Sequence, residues 1–504
     1  MKRIAFSLSF LFVLSIIKAQ LPIPSSMPNA VQQQLIDRSY GMFIHFGPNT
    51  FLNIEWGDGT ASASTYAPTA LDCDQWVRVA RDAGFRYVLL VTKHHDGFCL
   101  WDSHYTDYDV ASSPCKTDVV RAVSDACRKY GLQFAVYYSL WDRHEPSYTG
   151  RNFAEYIKFM ENQLTELLTQ YGPVCELWLD GAWDKGVSEW QLSRLYSLVK
   201  RLQPNCAMGV NHTIASKSGE ERWGWDDCVL PDSCREDNSR YLRFFPVDFR
   251  LWDPKIAPLY DAKQYLYKDN SYYMPFEHTI CLSKAWNWFQ KDQLMPVREL
   301  DELEELFYWT TMNQNTLVID VAPDRKGRIR EHEANAVIRL GQRLGLCQGL
   351  PLPKRTMDQI VSYRTKAAAN SVWQDQSDYD ATRAVDGGMQ TRWASEQKEA
   401  ALTLDMGQMR SFDRVVIFEY QDTKVGEDNF TNYRTGRIEQ YSIDVLNDKG
   451  EWTTIYLGDE PLGDCKVIRL PHTYTSRQVR LQVLKASAPP SIWEILFINT
   501  HLSK

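Results

Sequence analysis

The chain has 504 residues and a formal net charge of −8, and it is 44% hydrophobic, 13% aromatic and 24% charged. Average charge with abundant aromatics excludes a disordered chain, and the acidic balance argues against phosphate-backbone binding as its main work. At roughly 100–200 residues per domain the length implies two or three domains, although an α/β barrel runs longer as one unit. The 17 Trp and 26 Tyr suit either a large aromatic core or a cleft that stacks sugar rings.

Lys2 and Arg3 precede a short apolar run, Ile4 to Ile17, with Ala19 as a small residue at the cleavage point. This reads as a secretory signal over residues 1–19, too short and wrongly flanked for a membrane span. Its removal takes Lys2, Arg3 and Lys18 away and leaves a more acidic mature chain. The first Cys is Cys73, too far away to carry a lipid at the cleavage point, and no later stretch reaches about 18 uninterrupted apolar residues. The expectation is an exported protein, periplasmic or secreted, with no membrane insertion. The 11 cysteines are odd in number, scattered, and without a Cys-x-x-Cys pair. That favours buried free thiols over a zinc site or a disulfide framework.

From Tyr40 onward, strand and helix signals alternate. Gly41 to Phe46 reads as a buried strand closed by Gly47-Pro48. Trp76 to Ala83 is an amphipathic helix stopped by Gly84, and Phe85 to Thr92 is an apolar strand. A helix from Asp118 to Tyr130 precedes the strand Phe134 to Ser139. A helix from Ala154 to Tyr171 precedes the strand Val174 to Leu179, and Val187 to Leu202 is the next helix. A later strand spans Tyr272 to Phe276. Continuous apolar strands between helices describe a parallel sheet covered on both faces. Their number in about 310 residues favours a closed (β/α)8, TIM-like barrel over residues 20–350. Past the Pro-rich Leu350-Pro351-Leu352-Pro353, short strands at Ala401 to Asp405, Arg414 to Tyr420, Tyr441 to Val445, Trp452 to Leu457 and Gln478 to Leu484 predict an all-β sandwich over residues 358–504.

Catalytic groups of such a barrel sit where its strands end. Successive strand ends carry His45, then Lys93-His94-His95, then Tyr137-Tyr138, then Trp178 and Asp180, with Glu55 and Trp56 in the first loop. A lone polar strand end is usually structural, but four pointing one way favour a site. His94 and His95 are adjacent and would face opposite sides of a strand, which disfavours a shared metal. There is no His-Glu-x-x-His motif, no Gly-x-Ser-x-Gly elbow and no phosphate loop. Carboxylate chemistry remains: Asp180, between Trp178 and Trp183 and followed by Gly181-Ala182, suits a glycosidase nucleophile better than a helix cap.

MFIHFGPNTF, EWGDG, LDCDQWVRVARDAGFRYVLLVTKHHDGFCLWDS, TDYDVASSP and LWLDGAW resemble glycoside hydrolase family 29, the retaining α-L-fucosidases, from Tyr40 to about Ile329. The wording around Glu55 is closer to the branch restricted to particular linkages. The resemblance implies Asp180 as nucleophile of a covalent fucosyl-enzyme. It implies His45, His94 and His95 on the ring hydroxyls, Glu55 and Trp56 on the sugar edge, and Tyr138 and Trp178 lining the pocket, with no cofactor or catalytic metal. The acid/base lies in a loop that varies within the family. Its candidates here are Glu221, beside Glu220, with Asp248 and Glu277 as rivals. A retaining acid/base should lie about 5–5.5 Å from the nucleophile with a raised pKa. Arg222 beside Glu221 works against that rise.

Asp380 to Ser395, Leu404-Asp405-Met406-Gly407 and Ser491 to Ile495 resemble discoidin-type, coagulation factor C-like sandwiches, a group that includes family 32 carbohydrate-binding modules. The resemblance implies core roles for Trp393 and Trp493 and a structural calcium near Asp386-Gly387. The domain either binds glycan or buttresses the barrel. The partner expected is a fucosylated oligosaccharide or glycoconjugate rather than nucleic acid. Alternatives are a glycosidase for another galacto-configured glycoside, or a catalytically degenerate glycan-binding protein.

Overall fold

The computed structural model describes residues 21–215, 241–251, 263–347, 356–425 and 432–501. The signal segment and Glu221 lie outside these residues. Eight strands close a barrel in chain order: β1 Tyr40–Ile44, β2 Tyr87–Lys93, β3 Gln133–Ser139, β4 Glu176–Asp180, β5 Ala207–Asn211, β6 Phe249–Leu251, β7 Phe276–Cys281 and β8 Thr316–Asp320. Every adjacent pair is parallel, including β8 to β1.

The helices form where the apolar spacing and caps place them. Helix α1, Cys73–Asp82, starts on Asp72, whose carboxylate accepts from Gln75 N, and it buries Trp76, Val77 and Ala80. Helix α2, Val119–Tyr130, starts on Asp118 and ends at Gly131, whose φ of +74° a Cβ would oppose. Helices α3 Phe153–Gln170, α4 Leu192–Leu202, α5 Leu300–Met312 and α6 Glu331–Arg343 complete the outer layer.

The strands are buried on both faces, so runs such as Tyr87 to Val91 and Leu317 to Ile319 are apolar without alternation. Alternation then decides which residues enter the barrel. Phe43, Tyr87, Leu89, Ala135, Tyr137, Trp178, Ala207, Phe249 and Val318 pack together inside. Their immediate neighbours along each strand, such as Val88, Val136, Tyr138 and Leu179, pack outward against the helices. Glycines make room for large interior rings: a Cβ on Gly41 would lie 2.4 Å from the Tyr87 ring, and one on Gly209 would lie 2.7 Å from that of Phe249.

Two boundaries differ from the sequence expectation. The run Tyr272 to Phe276 is the junction of two strands. Asn270–Tyr273 belongs to a separate four-stranded sheet, and β7 begins at Phe276. In the second domain, the expected strands Ala401 to Asp405 and Arg414 to Tyr420 merge into one, β9 Ala400–Glu419, and the others lie within β10 Ile438–Leu446, β11 Trp452–Gly458 and the much longer β12 Lys466–Ala486, with β13 Ser491–Ile498 closing the domain. The pairing of β9 with β12 shifts register after Asp405 and after Phe412, so bulges bend strands that sequence reads as broken.

This antiparallel sheet wraps its own core around Trp393, Leu402, Phe412, Ile443 and Phe497. Its other face sends Val416, Phe418, Leu496 and Ile498 into one apolar cluster with Leu340, Leu344 and Leu346 of the barrel domain. Trp493, expected in the sandwich core, is only half-buried and packs toward that barrel-side cluster. At the same seam the fully buried Glu304 pairs with Arg414 at 2.7 Å and Arg469 at 2.7 Å. The nine cysteines among the described residues are free thiols. No helix among those residues is long and apolar enough to cross a membrane.

Candidate active site

Asp180 is the last residue of β4 and points into the C-terminal mouth of the barrel, 8% exposed. Its Oδ1 accepts from Gly181 N at 2.8 Å and from Asn211 Nδ2 at 3.0 Å. Its Oδ2 accepts from the Tyr137 hydroxyl at 2.8 Å and lies 3.6 Å from His95 Nε2. These donors fix the rotamer of the carboxyl group.

Both histidines after β2 reach the site. The strand ends at Lys93, and in the following turn the two rings lie 4.2 Å apart rather than on opposite faces. His95 Nδ1 shares a 2.7 Å hydrogen bond with Ser139 Oγ. Burial pulls His95 down to about 4 and His94 well below the ordinary imidazole range. Neutral rings give each a donor and an acceptor for hydroxyl groups. His45 follows β1, stacks on Trp288 at 4.5 Å and meets Trp286 edge-on at 5.7 Å. Its Nδ1 lies 3.1 Å from Asp320 Oδ2 at the end of β8. Burial holds the Glu55 carboxyl above its usual range, the charge of Asp180 adding to the rise and His45 and Trp286 opposing it. Trp56 lies against Trp183 at 5.2 Å and His95 at 5.8 Å.

The structure therefore gathers Asp180, His45, His94, His95, Glu55 and Trp56 at one mouth. Four expectations are corrected. Tyr138 faces outward: its hydroxyl takes a hydrogen bond from Lys93 Nζ at 3.0 Å and donates to Gln163 Oε1 at 2.7 Å, and Tyr137 occupies the interior position instead. Glu277 is near the start of β7, not at a strand end, so it lies at the opposite end of the barrel. There it accepts from Tyr87 at 2.9 Å and from Trp178 at 2.9 Å. Asp248 precedes β6 and is taken up by Tyr196, Lys200 and Met208 N beneath helix α4. Trp178 lines no open surface. It is 1% exposed, two residues below Asp180, and stacks under Tyr137 at 5.2 Å.

Sequence reasoning named Tyr137 at its strand end but chose Tyr138 for the pocket, and it missed Asn211, Asp320, Trp286 and Trp288. Inward parity with Asp180 was the available signal for Tyr137, Asn211 and Asp320: Tyr137 is the registered neighbour of Trp178, and Asn211 and Asp320 both end interior strands. Trp286 and Trp288 sit in the loop after β7, whose end at Cys281 the expected strand Tyr272 to Phe276 did not reach.

Residues 22–346 match the family model described as alpha-L-fucosidase, and residues 383–481 match one described as a NedA-like, galactose-binding domain. Alpha-L-fucosidase 1 of Arabidopsis thaliana is 31% identical over 484 residues, covering 94% of this chain and 86% of its own. The alpha-L-fucosidase of Dictyostelium discoideum is 22% identical over 351 residues, covering 62% and 69%. A Ruminococcus gnavus GH29 fucosidase solved in complex with fucose has a TM-score of 0.54 at 23% identity, over 95% of this chain and 96% of its own, a likeness of fold.

Proposed function

Since this chain belongs to the α-L-fucosidase family, glycoside hydrolase family 29, we propose that it releases terminal α-L-fucosyl residues from glycans with retention, through a covalent fucosyl-enzyme on Asp180. The observation that carries this reading is the Asp180 carboxyl group, held by Tyr137, Asn211 and Gly181 N at a mouth walled by the neutral imidazoles of His94 and His95. A nucleophile for an anomeric carbon needs that fixed position. His45, His94, His95 and Glu55 supply hydrogen bonds to the ring hydroxyls. Trp56, Trp286 and Trp288 supply apolar faces for a 6-deoxy sugar.

Asp180→Ala should lose at least about four orders of magnitude in kcat with its fold intact, and azide should then yield the β-configured fucosyl azide. Near-normal turnover of this variant would sink the assignment. For the acid/base we propose Glu221, on its place in the chain. Glu221→Ala should be rescued by azide with retained configuration. If only Glu55→Ala is rescued, the raised carboxyl of Glu55 takes the role. A panel of aryl glycosides separates fucose from other galacto-configured sugars. Fucosylated oligosaccharides in the same panel test the proposed restriction to particular linkages.

We also propose export through cleavage after Ala19, which N-terminal sequencing of the mature protein reads directly. For the second domain we propose the structural calcium near Asp386-Gly387, with Glu494 as a second carboxylate beside it. The buried Glu494 Oε2 has no hydrogen-bond partner, and burial with the charge of Asp386 pushes the Glu494 carboxyl well above its usual range. Glu494 and Asp386 would hold the ion, an all-oxygen donor set that suits a hard cation, and the bound ion would supply charge neutralisation. Chelator should then lower the melting temperature of wild type and leave Glu494→Gln unmoved.

A further inference from the structure

Two separate groups of rings flank Asp180. The deeper one contains His45, His94, Trp286 and Trp288. The outer one contains Trp56, Trp141 and Trp183, whose rings lie 5.8, 5.5 and 5.0 Å from the buried His95. The three indoles come from the loops after β1, β3 and β4, and each is half-buried. Their centroids are 5.2 to 5.9 Å apart.

The outer group is held in shape by backbone demands that packing alone does not require. Gly181 has φ +80°, and a Cβ there would meet Trp141 Cβ at 2.7 Å and His95 Nδ1 at 3.2 Å. That left-handed turn folds Trp183 back over His95 immediately after Asp180. Arg143 donates to Gly57 O at 3.0 Å, and its guanidinium lies 5.0 Å from the Trp141 ring. The loops carrying Trp56 and Trp141 are thereby tied together before any ligand arrives.

We propose that Trp141, with Trp183 and the outer face of Trp56, forms the subsite for the leaving-group sugar, a neutral hexose or N-acetylhexosamine stacked by its C–H face. The proposal rests on the fucosidase reading. The leaving-group sugar is bonded directly to the fucosyl ring held at Asp180, and these three half-buried indoles stand at that mouth beside His95. Stacked and offset indole faces present apolar area with little ordering cost.

The test compares two substrates on the full chain. One is α-L-fucosyl fluoride, whose leaving group has no ring. The other is a fucosylated N-acetyllactosamine trisaccharide, taken as the best wild-type substrate among the α1,2-, α1,3- and α1,4-linked forms. Trp141→Ala should lower kcat/KM for the trisaccharide tenfold or more and change that for the fluoride less than twofold. Parallel losses on both substrates overturn the proposal, as does an unchanged trisaccharide value. So does wild-type protein that cleaves the fluoride and none of the trisaccharides. If Trp141→Ala fails to fold, Trp141→Phe should show about a threefold loss confined to the trisaccharide, and its absence counts equally against the subsite. Wild-type protein inert toward the fluoride would instead overturn the fucosidase reading itself.

Discussion

The two ends of the barrel both bury carboxylates among Tyr and Trp side chains, and they differ in what neutralises the charge. At the N-terminal end, Glu277 and Glu176 lie together, with Arg38 bound to Glu176 at 2.8 Å. Burial and the neighbouring Glu176 push Glu277 well above its usual range, so one proton and one guanidinium balance the pair. At the C-terminal end, Asp180 meets neutral imidazoles, a phenol and amides, with no cation bonded to it among the described residues. The closed end spends its polar groups on one another. The open end leaves a charged oxygen edge facing space where a sugar can sit. Residue type is the same at both ends, and the environment separates a packing carboxyl from a reactive one.

The sharpest way to break this comparison is to remove Glu277. Glu277→Ala strands the Tyr87 and Trp178 donors and the Arg38–Glu176 pair in a dry interior, and should cost about 3–5 kcal/mol in urea unfolding. Glu277→Gln keeps the shape and should retain kcat within a few-fold. A thousandfold fall in a folded Glu277→Gln protein would return Glu277 to the mechanism.

At the open end, Tyr137→Phe removes a hydrogen bond to an ionised carboxylate worth about 1.5–3 kcal/mol. Expressed in the transition state, that is roughly a 10- to 100-fold loss in kcat/KM. Tyr138→Phe, one residue along and facing outward, should cost about 1 kcal/mol of stability and leave kcat/KM alone. Equal kinetic effects of the two would contradict the parity assigned here.

The smallest effects at neutral pH are electrostatic and run in opposite directions. His95 has a folded pKa of about 4 against an ordinary 6.5. As pH falls from 6.5 to 4 the unfolded chain gains a proton the folded one refuses, so stability drops through that window. His95→Asn should flatten this acid limb. Asp96 behaves inversely. Burial raises it to about 7 from 3.8, so its contribution is complete below 3.8 and is lost as pH rises through 7. Asp96→Asn should therefore narrow the difference between stability at pH 5 and pH 8. Unfolding curves at pH 4.5, 6 and 8 check both.

Sequence by itself determined the eight-stranded barrel, the all-β second domain and the strand ends that carry His45, His94, His95 and Asp180. Those signals are local: apolar runs, glycine stops and polar residues just past a strand. The family motifs lie on the same segments. Tertiary structure alone decided the rest. Strands buried on both faces carry no polar alternation, so Tyr137 and Tyr138 look alike until barrel closure gives one an inside. A strand boundary misplaced near Tyr273 put Glu277 at the wrong end of the barrel, because β7 follows the small outer sheet with only Met274-Pro275 between. The partners of Asp180 come from β3 and β5, and Trp288 reaches His45 from a loop far along the chain. Such contacts depend on register and closure, which no single segment records.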